Sequence, residues 1–258
     1  MKEVFDMYQS SCIVAAVQFE PKLLDVHRNL ATATHLVFEA AAKGAKIVVL
    51  PELCLSGYVI QSKQEAASVC QERNGYQTQA FIPLAKKFNC HIVVGYVELK
   101  EGKLYNSAAI IGPQGLVGNS QKHNHWGSDA LWAECAETLT PVIVTPSGRL
   151  GALVCRDIMN NYRESYKFYK SEERFYKKGS VDTIALLTNW GSDYGYPDNS
   201  WVELAEETSA NVIVSNRVGK ERDMKYKGGS CIIDRNKKVY TYGSNFDEVA
   251  VVGGLILV

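Results

Sequence analysis

The stretch Lys46–Tyr58, KIVVLPELCLSGY, contains the pattern that decides the fold. Its apolar residues Ile47–Leu50 form an uninterrupted run, which is typical of a strand covered on both faces. Glu52 follows directly after this run, in a segment that also holds Ser and Gly. Functional groups of α/β folds gather where strands end and loops begin. The stretch therefore predicts a buried strand with a candidate functional carboxylate at its end, although Glu52 could also be a loop carboxylate in solvent.

Strand and helix patterns alternate around this stretch. Ile13–Phe19 is rich in β-branched residues and predicts a strand. Val26–Lys43 places apolar residues at helical spacing, and Gly44 suits the position just past a helix end. A helix is expected over Gln77–Lys87, followed by a strand over Ile92–Val97.

The second half of the chain repeats this texture. It predicts strands over Leu150–Cys155, Thr183–Leu187 and Val212–Ser215, and helices over Arg163–Lys178 and Trp201–Ala210.

Two hairpin patterns, Asn106–Val117 and Gly229–Val239, resemble each other. We interpret them as a weak internal duplication, with two α/β halves packed sheet to sheet. Because no low-complexity linker separates the halves, we expect residues 1–258 to form a single domain. The apolar ending Val249–Val258 fits a final strand or a segment lying across a partner subunit.

Composition narrows the function classes. Of 258 residues, 46% are hydrophobic and 22% charged, which argues against disorder. Lys+Arg and Asp+Glu balance at 28 each, so the chain lacks the basic surplus typical of nucleic-acid or membrane-surface binding. The first residues, MKEVFDMYQSS, lack the apolar core of a signal peptide, and the seven cysteines show no CxxC spacing. We expect a cytoplasmic protein with free thiols.

Two further places combine a reactive residue with a predicted strand end. Lys122 precedes the pair His123 and His125; five histidines in the whole chain, with no other dense ligand cluster, argue against a metal site, and we expect none. Lys122 could equally be a surface lysine.

Cys155 ends an apolar run and could be either a small core residue or an activated nucleophile.

A Glu, a Lys and a Cys in this order, each beside an apolar strand, resemble the nitrilase (carbon–nitrogen hydrolase) superfamily. The similarity covers essentially the whole chain. The segments that carry it are AAVQFEP (15–21), KIVVLPELCLSGY (46–58), QKHNHW (121–126), GRLGALVCRD (148–157), LLTNW (186–190), SANVIVSNRVG (209–219) and KGGSCIID (227–234).

This resemblance implies a four-layer α-β-β-α sandwich of the nitrilase type and a hydrolase that needs no cofactor. It also implies that Cys155 is the nucleophile, Glu52 the general base and Lys122 an oxyanion donor, together with the backbone N–H of Arg156. The family has a supporting glutamate between the lysine and the cysteine. Glu134 is the candidate favoured here, with Glu137 as the alternative.

The loops that the resemblance brings together at Cys155 supply candidate substrate-binding residues. These are Tyr58, Trp126, Arg156, Asn189 and Trp190. Trp and Tyr could instead fill a core, and Arg156 could pair with a substrate carboxylate or face solvent.

Three functions follow from the resemblance and the residues. The first is hydrolysis of a small linear amide or carbamoyl compound through a thioester, with release of ammonia or an amine. Action on a nitrile is the alternative within the same family. The other class is a non-catalytic member that serves as a binding scaffold. The resemblance also implies a homodimer or higher homo-oligomer.

Overall fold

The computed structural model describes residues 11–136, 140–159, 176–191, 198–240 and 250–257. Within these ranges, helices and strands alternate as the apolar patterns predict. The α-helices of the described ranges are α1 (Val26–Ala42), α2 (Lys63–Val69), α3 (Tyr76–Gln79), α4 (Ile82–Phe88), α5 (Asp129–Trp132) and α6 (Asn199–Thr208).

The first sheet contains most of the N-terminal strands and the last strand of the chain. Its strands are β1 (Ser11–Gln18), β2 (Ile47–Val49), β3 (Gln71–Glu72), β4 (His91–Lys100), β5 (Lys103–Gly112), β6 (Gly115–Gln121) and β15 (Ala250–Leu257). Their order is β15-β1-β2-β4-β5-β6, with β3 paired to β4. Because β15 runs antiparallel along all of β1, the apolar ending is a final strand that returns to the first half.

The strands of the second sheet are β7 (Ile143–Thr145), β8 (Gly148–Val154), β9 (Thr183–Thr188), β10 (Asn211–Asn216), β13 (Cys231–Ile233) and β14 (Val239–Tyr240). Their order is β14-β13-β10-β9-β8-β7. Its central strands β8, β9 and β10 are parallel. A separate two-stranded ribbon, which we name the rim hairpin, joins β11 (Val218–Glu221) to β12 (Met224–Lys227).

The two sheets share one core, and helices cover their outer faces. Val14 and Ile47 of the first sheet lie in one apolar cluster with Ile184 and Val212 of the second. Trp201 of α6 joins this cluster from the far side of the second sheet, while α1 and α4 pack on the first. Each fully buried large aliphatic side chain contributes about 1.5–3 kcal/mol. The result is the expected four-layer α-β-β-α sandwich.

Three local predictions differ from the structure or fall outside it. The helix predicted over Gln77–Lys87 is two short helices, α3 and α4, because Pro83 sits in the first turn of α4, where a missing N–H favours a helix start. The helix predicted over Arg163–Lys178 lies outside the described residues except for its last three positions, which are not helical. Cys155 does not end its strand; it opens a 3-10 turn over Cys155–Ile158.

None of the helices in the described ranges is long and apolar enough to cross a membrane.

Candidate active site

Strand ends from both sheets meet at one end of the sandwich. Glu52 lies shortly after β2, and Cys155 follows β8 directly. Asn189 and Trp190 come after β9, and Lys122 comes directly after β6. The strand-end placement inferred for these residues from the sequence is therefore observed.

Glu52 is buried, with 1% of its surface exposed, so it is not a solvated loop carboxylate. The backbone around it is fixed by close packing on β4: a Cβ placed on Gly95 would lie 2.4 Å from the Leu53 nitrogen and 2.5 Å from the Pro51 oxygen. From the second sheet, Asn189 Nδ2 donates to the Glu52 carbonyl oxygen at 2.9 Å. Both sheets therefore hold the turn that carries this carboxylate.

Lys122 is fully buried and binds two carboxylates at once. Its Nζ donates to Glu52 Oε1 and to Asp129 Oδ2, each at 2.6 Å. Asn106 Nδ2 bridges the same two acids, at 2.8 Å from Glu52 Oε1 and 3.0 Å from Asp129 Oδ1. We name these four residues the buried charge cluster. Two of the three N–H groups of the Lys122 ammonium are engaged within this cluster, which leaves one N–H without an acceptor among the described residues.

Charge and burial oppose each other in this cluster. Burial raises the pKa of Glu52, and the negative charge of Asp129 adds to this rise, while Lys122 lowers it; the net pKa is raised. For Lys122, burial lowers the pKa, but the negative charges of Asp129 and Glu52 together raise it by more. The net pKa is raised, so the lysine stays charged. Glu52 Oε2 has no hydrogen-bond partner within the described residues, so this oxygen keeps its capacity to accept a proton.

Cys155 sits at the turn that follows β8, in a strained backbone conformation. Its φ is +50°, a left-handed value that L-residues seldom adopt and that is often found at functional sites. Burial raises the pKa of the thiol, and the charge of Glu52 raises it further, whereas Lys122 and a backbone hydrogen bond with Asn189 lower it. The net pKa is raised, so the resting sulfur is a neutral thiol.

Asp157 joins the Cys155 turn to the segment after Lys122. Its Oδ1 accepts from the backbone nitrogens of His123 and Asn124, both at 2.9 Å, and its Oδ2 accepts from Val154 N at 3.1 Å. Burial raises its pKa to about 6, although these backbone donors and Lys122 lower it. One buried carboxyl group therefore joins the turn that carries Cys155 to the segment that follows Lys122.

Cys155 opens into a cavity of about 350 Å³, a volume suited to a small molecule. All five candidate substrate-binding residues line it, and the rim hairpin closes one side. The lining is Tyr58, Trp126, Cys155, Arg156, Asn189, Trp190, Gly191, Asp223, Met224 and Lys225. Tyr58 donates its hydroxyl to the Trp126 oxygen at 2.7 Å, and the Arg156 guanidinium stacks 3.8 Å above the Trp126 ring. The cavity thus combines aromatic walls with polar groups.

Glu134 does not support Lys122, which corrects the sequence prediction. Its side chain is 47% exposed and pairs with Lys63 at 3.6 Å, so its carboxylate faces outward. Glu137 lies outside the described residues. Asp129 supplies the carboxylate instead, because it begins the four-residue helix α5 directly beneath the lysine. The family resemblance points to a glutamate and so did not predict this aspartate; its position seven residues after Lys122 was the available signal.

In the part of the chain that the structure describes, no three His, Cys, Asp or Glu side chains converge as metal ligands would. His123 is buried, and burial lowers its pKa to about 4. His125 Nδ1 lies 3.6 Å from Cys135 Sγ. The two histidines are thus placed in different surroundings.

Comparison with known proteins places the chain in a family. Residues 13–173 match the carbon–nitrogen hydrolase family. The chain is 29% identical over 236 residues to a nitrilase of Pyrococcus abyssi (strain GE5 / Orsay). The alignment covers 91% of this chain and 86% of that protein. It is 24% identical over 239 residues to an (R)-stereoselective amidase of Pseudomonas sp, covering 92% and 82%.

Solved structures share the fold. An amidase from Nesterenkonia sp. superposes with a TM-score of 0.81 at 19% identity, over 96% of this chain and 91% of that one. A carbon–nitrogen hydrolase superfamily protein from Xanthomonas campestris superposes with a TM-score of 0.78 at 20% identity, over 96% and 91%. With the family match spanning residues 13–173, the chain belongs to the carbon–nitrogen hydrolase family, within the nitrilase superfamily.

Proposed function

We propose that this protein hydrolyses a non-peptide C–N bond in a small linear amide or carbamoyl compound, through a thioester on Cys155. The observation that carries the proposal is the buried charge cluster beside a strained cysteine at the wall of a 350 Å³ cavity. A binding scaffold does not need this combination, because burying one ammonium and two carboxylates is costly without a use for them.

The first step is attack of the Cys155 sulfur on the carbonyl carbon. The thiol proton moves to Glu52 Oε2 as the S–C bond forms, because the raised thiol pKa makes unassisted ionisation costly. A base with a raised pKa also holds this proton well enough to deliver it later.

The developing oxyanion then needs donors. Lys122 has a third N–H beyond those given to Glu52 and Asp129, and we assign it to the oxyanion together with the backbone N–H of Arg156. A single donor of this kind lowers the barrier by about 3–4 kcal/mol. Asp129 and Glu52 orient the ammonium without neutralising its remaining donor.

Collapse of the tetrahedral intermediate breaks the C–N bond. Glu52 returns its proton to the leaving nitrogen, which departs as ammonia or an amine and leaves an acyl thioester on Cys155. Glu52 then takes a proton from water, whose oxygen attacks the thioester carbonyl. The acid product leaves, and the thiolate regains the proton from Glu52.

Hydrolysis of a nitrile by the same residues is a second candidate, favoured by the similarity to the protein named a nitrilase. Attack of the same sulfur on a nitrile carbon would give a thioimidate, which water would hydrolyse. The two candidates differ in substrate and share Cys155 and Glu52.

Ammonia release from matched amide and nitrile panels tests the proposal. We expect release from amides, with loss of activity when iodoacetamide labels Cys155. Cys12 and Cys231 are the internal controls for labelling, since neither lines the cavity. Release from nitriles but not amides would select the nitrile reaction. No release from either panel, with Cys155 labelled no faster than Cys12 or Cys231, would contradict the hydrolase assignment and favour a scaffold.

A further inference from the structure

The rim hairpin is held in place by a carboxylate at the end of β11. Glu221 is 4% exposed, and its Oε1 accepts from the backbone nitrogens of Tyr58 at 2.7 Å and Val59 at 2.5 Å. Its other oxygen accepts from Arg217 Nη1 at 2.5 Å. Both oxygens of one buried carboxylate are therefore used, one on the cation that directly precedes β11 and one on a loop from the other half of the chain.

Arg217 is anchored on its remaining sides. It is fully buried, its guanidinium stacks 4.4 Å above the Tyr226 ring of β12, and its Nη2 donates to the Pro21 oxygen at 3.1 Å. The partner of Glu221 is thus tied to the base of the rim hairpin and to the N-terminal half. Movement of Glu221 away from the Tyr58 loop would leave backbone donors unpaired in the interior, which is costly.

The loop bound by Glu221 carries Tyr58, whose side chain lies next to Lys122 and Trp126. The Tyr58 ring lies 5.7 Å from Lys122 Nζ, and its hydroxyl holds the Trp126 oxygen. On the other side of Glu221, Asp223 and Met224 line the cavity. One carboxylate is therefore shared between the aromatic wall and the facing rim.

We propose that Glu221 is a positioning residue that sets the width of the active-site cavity by joining the rim hairpin to the Tyr58 loop. It touches neither the substrate nor Cys155, and it acts through Tyr58 and Met224. It contributes most to substrates large enough to contact both walls. This inference rests on the proposed function for its kinetic readout, and its structural readout is independent of activity.

The test compares Glu221→Gln with wild type on two amides, acetamide and the larger phenylacetamide. In the variant an amide N–H2 group faces Arg217, so the side chain can no longer satisfy both partners. We expect KM for phenylacetamide to rise by about tenfold or more, with kcat for acetamide and the rate of Cys155 alkylation by iodoacetamide changed by less than about threefold.

Two further variants keep the test decisive. Glu221→Asp retains the charge that neutralises Arg217 but shortens the reach to Tyr58 and Val59, so it should fold and still raise KM for phenylacetamide. Glu65→Gln is the matched control, because it removes the ion pair of Arg222 with Glu65 at 2.7 Å, which holds the same hairpin from the exposed side. Exposed pairs contribute little, so no change in KM is expected.

Hydrogen exchange separates this inference from the proposed function. Faster exchange of the Tyr58 and Val59 amides in both Glu221 variants, with exchange in β8 unchanged, supports the positioning role of Glu221. This holds even if the wild type releases no ammonia from any amide, because that result would count against the proposed function alone. Unchanged exchange at Tyr58 and Val59, or equal KM changes for both amides, would overturn the positioning role.

Discussion

Replacing Asp129 by Asn tests which acid supports Lys122. The change removes the charge that accepts from Lys122 Nζ at 2.6 Å while keeping the size of the side chain. Asp129 also accepts from Asn106 and, at 3.1 Å, from the backbone nitrogen of Trp126, which lines the cavity. We expect a large loss of activity and a smaller loss of stability.

The magnitudes follow from the charges in the cluster. At 2.6 Å and an effective dielectric constant of about 20, the attraction between Lys122 and Asp129 is about 6 kcal/mol before desolvation is counted. Glu52 still neutralises Lys122 in the variant, so the net cost is nearer that of a lost charged hydrogen bond, about 1.5–3 kcal/mol. A misoriented oxyanion donor costs about 100- to 1000-fold in kcat.

The pH dependence moves in a defined direction. The negative charge of Asp129 raises the pKa of Glu52, so its removal lowers that pKa. The acid limb of the kcat/KM profile follows the ionisation of the general base in the free enzyme, here Glu52. This limb should therefore shift to lower pH in Asp129→Asn. The assay is ammonia release from the best amide of the panel across the pH range, together with urea unfolding of both proteins.

Glu134→Gln is the matched control, because it also neutralises one acid of the same segment. Its carboxylate is half exposed and pairs with Lys63, so kcat, stability and the acid limb should remain as in wild type. Loss of activity in Glu134→Gln, with wild-type activity in Asp129→Asn, would refute the assignment of Asp129 as the acid that supports Lys122. It would restore the sequence prediction of Glu134.

Three further predictions concern the turn that carries Glu52, the titration of Asp157 and the oligomeric state. Gly95→Ala should displace the turn bearing Glu52 and lower kcat by about 100-fold, whereas Gly253→Ala, where the nearest atom lies 3.9 Å away, should not; equal kinetics of the two variants would contradict this. The pKa of Asp157 is raised to about 6 from 3.8 in the unfolded chain, so the folded state holds its proton more tightly. Wild type should therefore lose about 2.4 kcal/mol of unfolding free energy relative to Asp157→Asn as pH rises from 4 to 7; a difference in urea unfolding that stays constant, or grows in favour of wild type, would contradict the sign. We also predict at least a dimer, which light scattering showing a monomer at micromolar concentration would contradict.

The fold was predictable because its signals are local. The run Ile47–Leu50 and the hairpin patterns carry strand information within a few residues, and the order of Glu, Lys and Cys at strand ends fixed the family resemblance. The return of β15 to β1 could not be settled, since a final strand and a segment lying across a partner have the same apolar pattern. Tertiary pairing decides between them.

The supporting residues of the site were less accessible to sequence reasoning. Asp129 and Glu134 are both acids in one short segment, and burial alone distinguishes the one that reaches Lys122. Glu221 lies more than 160 positions from Tyr58 in the chain, and its charge pattern resembles that of any solvated ribbon. Such residues are defined by contacts between distant segments, which spacing along the chain does not encode.

The central claim, that Cys155 forms the covalent intermediate, is tested most directly by mass spectrometry of the protein and of its peptides during turnover of an amide, with Cys155→Ala alongside. The account predicts that wild type releases ammonia and, in acid-quenched samples, gains the mass of the substrate less ammonia on the peptide containing Cys155. It also predicts that Cys155→Ala folds and does neither. Ammonia release by Cys155→Ala at the wild-type rate, or an acyl group carried by another residue, would contradict it.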